Sequence, residues 1–161
     1  MIVVSDTSPI SNLFVIGKLE LLRDVFQKVI IPPSVFDELM KLKDFGYKVE
    51  FLSELNWIEV RHPNNQKEVK LLRLSLDAGE SEAIVLSKEI HAELLLIDER
   101  FGAKKAKDFG LKTIGLLGVL VRAKRMNFII ELKPLLDELE NNAGFWMSEK
   151  LKKEVLKSVG E

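Results

Sequence analysis

Asp6, Glu38, Glu80, Glu82 and Asp98 share one kind of position, at or just past the point where an apolar run gives way to a helix. Asp6 follows Ile2-Val3-Val4, and Glu38 lies one turn into the helix after Val29-Ile30-Ile31. Glu80 and Glu82 open the segment Gly79-Glu80-Ser81-Glu82-Ala83, and Asp98 closes Leu94-Leu95-Leu96-Ile97. Each has an ordinary explanation. Asp6 could be a cap or turn residue. Glu80 and Glu82 could simply favour the positive end of a helix, typically by ~0.3–1 kcal/mol. Recurrence is harder to explain that way, because a parallel sheet would gather all these positions at one mouth. Carboxylates so gathered repel one another unless protons or cations intervene, which makes the set a candidate cation site. With oxygen donors only, the fitting ions are Mg²⁺ or Mn²⁺. Such ions bind phosphate oxygens, activate water and stabilise leaving oxygens, and two of them ~3.5–4 Å apart act well on phosphodiesters. The acids therefore point to metal-dependent phosphoryl-group chemistry needing no protein nucleophile.

The elements that must position these acids are legible as an alternation. Ile2 to Val4, Lys28 to Ile31, Trp57 to Val60, Glu93 to Ile97 and Leu111 to Gly115 read as short buried strands, rich in β-branched and aliphatic residues. Thr7 and Ser8 can cap the first helix, and Pro9 suits its first position. Pro32 and Pro33 stop the second strand, and Ser34 can begin the helix carrying Glu38. A weaker helix is expected within 47–55, and Arg100 to Lys107 reads as a helix with a basic outer side. Strands alternating with helices predict a three-layer α/β/α sandwich around a parallel sheet of about five strands. Residues 128–161 add a helical hairpin, with a turn at Asn141 to Gly144 and Ser148 capping the last helix.

Bulk properties narrow the function classes. The 161 residues fit a single domain spanning 1–161, 47% hydrophobic and 30% charged, so a packed core is expected rather than disorder. A net charge of −1 leaves no global basic footprint, so nucleic-acid binding must rest on local patches or on metal ions. The absence of cysteine excludes disulfides, thiolate metal sites and cysteine nucleophiles. No apolar run approaches ~18 residues and no signal-type segment opens the chain, so a cytoplasmic protein with no membrane partner is expected.

With Asp6-Thr7-Ser8 and Asn12, Pro32 to Glu38, Gly79 to Ala83, and Leu96-Ile97-Asp98-Glu99 in this order, residues 2–125 resemble the PIN-domain ribonuclease family. That family includes the toxins of VapBC toxin–antitoxin pairs and PIN-like branches with extra segments. The resemblance implies a parallel sheet between helices, an acidic pocket for Mg²⁺ or Mn²⁺, and cleavage of single-stranded RNA. It also implies a homodimer and a small antitoxin protein as a partner. Gly-Glu-x-Glu-Ala resembles a segment of the flap nucleases in which both glutamates serve the metals, so Glu80 and Glu82 are kept as a pair. Many family members carry aspartate in this third motif and a further acid beyond the fourth, for which Glu99 is the immediate candidate. Asp6 and Asp98 are then the expected principal metal ligands, completed by Glu82 and Glu38 directly or through water. Thr7, Ser8 and Asn12 would hydrogen-bond Asp6 or a scissile phosphate.

Arg100 and Lys104, with Lys105, Lys107, Arg122, Lys124 and Arg125, could line an RNA track, although Lys-rich helix faces are ordinary surfaces. His62 and His91 fall outside the motifs. Phe145-Trp146-Met147 is either a staple for the hairpin or an exposed anchor. Two other readings compete with the nuclease. One is a non-catalytic PIN-like module that binds RNA or protein. The other is a receiver-like phosphotransfer domain, which lacks its expected downstream lysine here.

Overall fold

Short runs of residues apolar on both sides are satisfied inside a sheet covered on both faces, and the three central runs form its buried middle, whereas those at Ile58–Val60 and Thr113–Ile114 lie at the sheet edges and are only partly buried. The computed structural model describes residues 1–161. Its strands are β1 (Val3–Ser5), β2 (Val29–Ile31), β3 (Ile58–Val60), β4 (Leu94–Leu96) and β5 (Thr113–Ile114). The helices are α1 (Thr7–Val15), α2 (Glu20–Phe26), α3 (Pro33–Met40), α4 (Gln66–Leu72), α5 (Ala78–Glu89), α6 (Arg100–Asp108), α7 (Leu116–Arg125), α8 (Lys133–Asn142) and α9 (Glu149–Ser158). All five strands pair in parallel in the order β3-β2-β1-β4-β5.

Alternation along the strands divides the core. Val3, Val29, Ile31 and Leu96 face the layer of Ile10, Leu13, Val35, Leu116, Leu120 and Leu136. Val4, Ile30, Leu95 and Ile97 face the opposite layer of Val69, Ile84, Leu86 and Ala106. Each fully buried aliphatic side chain contributes roughly 1.5–3 kcal/mol relative to exposure, so the central strands hold the layers together despite being only three residues long. The expected three-layer α/β/α sandwich is the observed architecture.

The strand order carries the functional consequence. From β1 the chain winds outward through β2 to β3, then returns across the sheet to β4 and winds the other way to β5. The winding reverses between β1 and β4. At such a reversal the helices leaving adjacent strands diverge and open a crevice beyond the carboxyl ends, where ligands bind in sheets of this type. Asp6 and Asp98 follow those two strands.

Several boundaries differ from the sequence expectation. The first strand starts at Val3, with Ile2 exposed, and Pro9 is the third residue of α1 rather than its first. That position is still tolerated, because first-turn N–H groups lack intrahelical partners. The weak helix expected within 47–55 is a 3₁₀ turn at Glu50–Glu54, preceded by another at Lys41–Phe45. In the hairpin α8 begins at Lys133, not Phe128, and its first N–H groups are met by the Glu161 carboxylate, which accepts from Leu132 N at 2.7 Å and Lys133 N at 3.1 Å. Phe145 and Met147 pack on the core while Trp146 is 83% exposed, so the staple and the exposed ring are different residues of one triplet. No helix is long and apolar enough to cross a membrane.

Candidate functional site

Asp6 is the N-cap residue of α1 in extended backbone, yet its side chain makes no capping hydrogen bond. Its backbone N donates to Leu96 O at 2.8 Å, which ties the end of β1 to the end of β4. Asp98 is held from two sides. Its Oδ1 accepts from Leu116 N at 2.7 Å, at the start of α7, and its Oδ2 accepts from Ser8 Oγ at 3.1 Å. Asn12 Nδ2 donates to Ser8 Oγ at 3.0 Å, so Asn12 and Ser8, one turn apart on α1, orient Asp98 rather than Asp6. The Thr7 hydroxyl is buried without a partner.

Gly79 brings the next acids in. A methyl group on its α-carbon would stand 3.2 Å from both Asp6 Oδ1 and Glu38 Oε1, so these carboxylates lie against the bare backbone at the start of α5. Asp77 caps that helix, its Oδ1 accepting from Glu80 N at 2.8 Å. Glu80 is 7% exposed, and its Oε2 is buried with no hydrogen-bond donor. That oxygen lies against Gly102 on the first turn of α6, where any side chain would collide with it.

The electrostatics follow from this burial. Desolvation pushes Asp6 up to about 7, opposed in part by the Thr7 N–H and reinforced by the charges of Asp77, Glu38 and Asp98. Glu80 is pushed up to about 9, first by desolvation and then by Asp77, with Asp6 and Glu99 adding repulsion. Asp98 is also raised by burial, against the bonds from Leu116 N and Ser8. Glu99 goes the other way, held below the usual range by the N–H groups of Gly102 and Phe101 that it accepts as cap of α6. It sits within electrostatic reach of Glu80.

The sequence-predicted residues thus divide. Asp6, Glu38, Glu80 and Asp98 surround the ends of β1 and β4. Glu82 turns to the N-terminus of α3, where its Oε2 accepts from Ser34 N at 2.9 Å. Asp77 belongs to the cluster and was not singled out from the sequence; its place at the head of Gly79-Glu80 was the available signal. Arg100 and Lys104 are exposed on the first turns of α6, the helix that follows Asp98 and Glu99. Arg122, Lys124 and Arg125 are not on that track. They occupy the last turn of α7, on the far side of the sheet, where Arg122 covers the Phe26 ring at 5.3 Å and Lys124 pairs with Glu161 at 3.4 Å. His62 and His91 are exposed.

The donor set has the all-oxygen chemistry of a hard-cation site, and the undonated Glu80 Oε2 is the kind of atom such an ion satisfies. No three of the acidic side chains converge closely enough to hold an ion in the present arrangement, so ligation would have to draw them inward. The cavities of the molecule lie elsewhere, the one of about 360 Å³ between α2 and the hairpin having no part in the acid cluster.

A family model, DUF3368, described as PIN domain, matches residues 2–161. Among solved structures, a PilT N-terminus domain protein from the hyperthermophilic archaeon Sulfolobus solfataricus P2 is 19% identical, with 92% of this chain and 100% of that chain covered at a TM-score of 0.49. No curated protein matches the chain.

The raised acids fix a pH dependence. Asp6 and Glu80 ionise near 7 and 9 in the folded chain, against roughly 4 in unfolded chains. Between those values the native state holds protons that the unfolded state has released, so stability falls as pH rises. In chelator, the thermal midpoint is expected to drop from about pH 4 through 7 towards 9. Asp6→Asn should remove much of that drop and add on the order of a few kcal/mol at pH 8. A midpoint that climbs over this interval, or no gain in the variant, contradicts the assignment.

Proposed function

The chain belongs to the PIN-domain family, whose members are generally nucleases, and from that premise we propose that it is a Mg²⁺- or Mn²⁺-dependent endoribonuclease hydrolysing phosphodiester bonds of single-stranded RNA. The observation that carries this reading is the burial of Asp6 among Asp77, Glu38 and Asp98 at the point where the sheet reverses its winding. A cluster of like charges without a cationic side chain is a poor design for stability and a suitable one for a divalent ion.

Asp6 and Asp98 would hold the ion, with Glu80, Glu38 and Asp77 drawn inward to complete its surroundings and Glu82 retained by α3. When bound, a divalent ion supplies charge for the phosphate oxygens and acidity for water. The chain's own side chains do the positioning. Ser8 and Asn12 fix the rotamer of Asp98, and the unpartnered Thr7 hydroxyl is a donor for a phosphate oxygen at the head of α1. Arg100 and Lys104 attract the strand to a mouth whose interior repels it. A homodimer and a small antitoxin protein covering the mouth complete the proposal.

One observation favours a second reading, a PIN-like module that binds RNA or protein without cutting it: no three acids converge on a common point. Cleavage of a mixed single-stranded RNA pool separates the two. Cutting is expected with Mn²⁺ or Mg²⁺ and not in chelator. Asp6→Asn and Asp98→Asn should each lower it by more than the roughly 10- to 100-fold that loss of a supporting partner costs. Cutting that survives chelation, or variants as active as the wild type, would overturn the assignment, and RNA binding without cutting would favour the module.

Gly79→Ala probes the approach of the two carboxylates. Replacing Gly by Ala in a helix ordinarily adds about 1 kcal/mol, but here the new methyl presses on Asp6 and Glu38. The variant should stay folded and lose roughly tenfold or more of its cleavage rate, since small misplacements at a reacting centre are costly. Unchanged cleavage would show that the spacing around Gly79 is immaterial.

A further inference from the structure

An acid cluster explains how a scissile phosphate could be held through a cation, but it gives a nucleic-acid strand no reason to approach. Affinity has to come from the rim. The first turn of α6 supplies two kinds of contact there. Phe101 is 49% exposed although it directly follows Asp98-Glu99-Arg100. Its backbone is fixed, because Phe101 N donates to Glu99 Oε1 at 3.0 Å and the next residue, Gly102, is buried against Glu80 and Ile97. The backbone carrying the ring is therefore fixed two residues from Glu99 and next to the glycine that Glu80 packs against, and the ring has part of its surface in solvent. Phe45, Phe109 and Phe128 are exposed too, but each follows the end of a helix that runs away from the site.

Arg100 precedes the ring, and Lys104 lies one turn beyond it. Both are exposed and neither takes part in an ion pair. Aromatic surface beside unpaired cations matches the two features of a single strand, whose phosphates need positive charge and whose unpaired bases need a ring to stack on. A folded duplex offers no free base face, and a protein partner would not require the cations to stand beside the acids.

We propose that Phe101 is a stacking platform for an unpaired base next to the scissile phosphate, with Arg100 and Lys104 holding the flanking phosphates. That the neighbouring phosphate is the one cleaved rests on the nuclease reading; the binding itself does not. The side chains assign the ring to base contact and the cations to backbone contact, so the two contributions separate experimentally.

The test is fluorescence anisotropy with a labelled single-stranded RNA and an abasic strand of equal length, in Mg²⁺ and in chelator, using folded Phe101→Leu, Phe101→Trp and Arg100→Ala/Lys104→Ala variants. Wild type should bind the base-bearing strand more tightly. Phe101→Leu should lose roughly tenfold or more on that strand alone, and Phe101→Trp should keep the preference. The double variant should weaken both strands and flatten the salt dependence. A 2-aminopurine base in the strand should report stacking in wild type and not in Phe101→Leu. Equal binding of both strands by wild type, no binding of RNA, or an unaltered preference in Phe101→Leu overturns the proposal. Cleavage that persists with Phe101→Leu binding unchanged would remove the platform and leave the nuclease standing. Base-dependent binding without cleavage would do the reverse.

Discussion

Like charges buried together are the constraint on which the rest of the structure depends. Asp6 is 7% exposed and Glu80 equally so, with Asp77, Glu38 and Asp98 around them. Five acids without a cationic side chain among them cannot all ionise in a partly dry crevice at small cost. Protons relieve the repulsion at one extreme and a divalent cation at the other. The scaffold must hold the acids together against that repulsion, and the buried strands beneath them do so. Val3, Val4, Leu95 and Leu96 leave almost no surface exposed, and the Asp6 N–H bond to Leu96 O locks the two strand ends side by side.

Small residues do as much as the strands. A side chain would collide with Glu80 at Gly102 and press on Asp6 and Glu38 at Gly79, so the contribution of these glycines is the space they leave. Helix starts supply the remaining order. Asp98 accepts from the N-terminus of α7, Glu82 from that of α3 and Glu99 from that of α6. Acids at these places answer unsatisfied N–H groups, which is why capping and site formation use the same residue types here. Asp6 differs from them, since it occupies a cap position without bonding as a cap.

Much of this was visible in the sequence because strands buried on both faces leave continuous apolar runs, and the acids that close such runs fall at one edge of a parallel sheet. Asp6, Glu38 and Asp98 were found by that rule. Choosing between Glu80 and Glu82 was beyond it. Residues Ala83 to Leu86 are all buried, so α5 lacks the polar stripe that would have revealed its roll about its own axis. Asp77 was hidden by the ordinariness of aspartate before a helix. The basic residues of α7 are another case, because nothing local shows that the chain returns to pair with them, as Glu161 does with Lys124. Ser8 and Asn12 are four apart and so share a helix face, but which acid that face meets is a tertiary fact.

If repulsion among the acids is balanced by protons or by a cation, the two must exchange. The direct measurement is the number of protons released when Mn²⁺ is added to chelator-treated protein at pH 6.5 to 7, by pH-stat or by calorimetry in buffers of different ionisation enthalpy. About one proton or more per chain should be released, with Asp6→Asn releasing fewer. Saturating Mn²⁺ that releases no protons would contradict the account at its base.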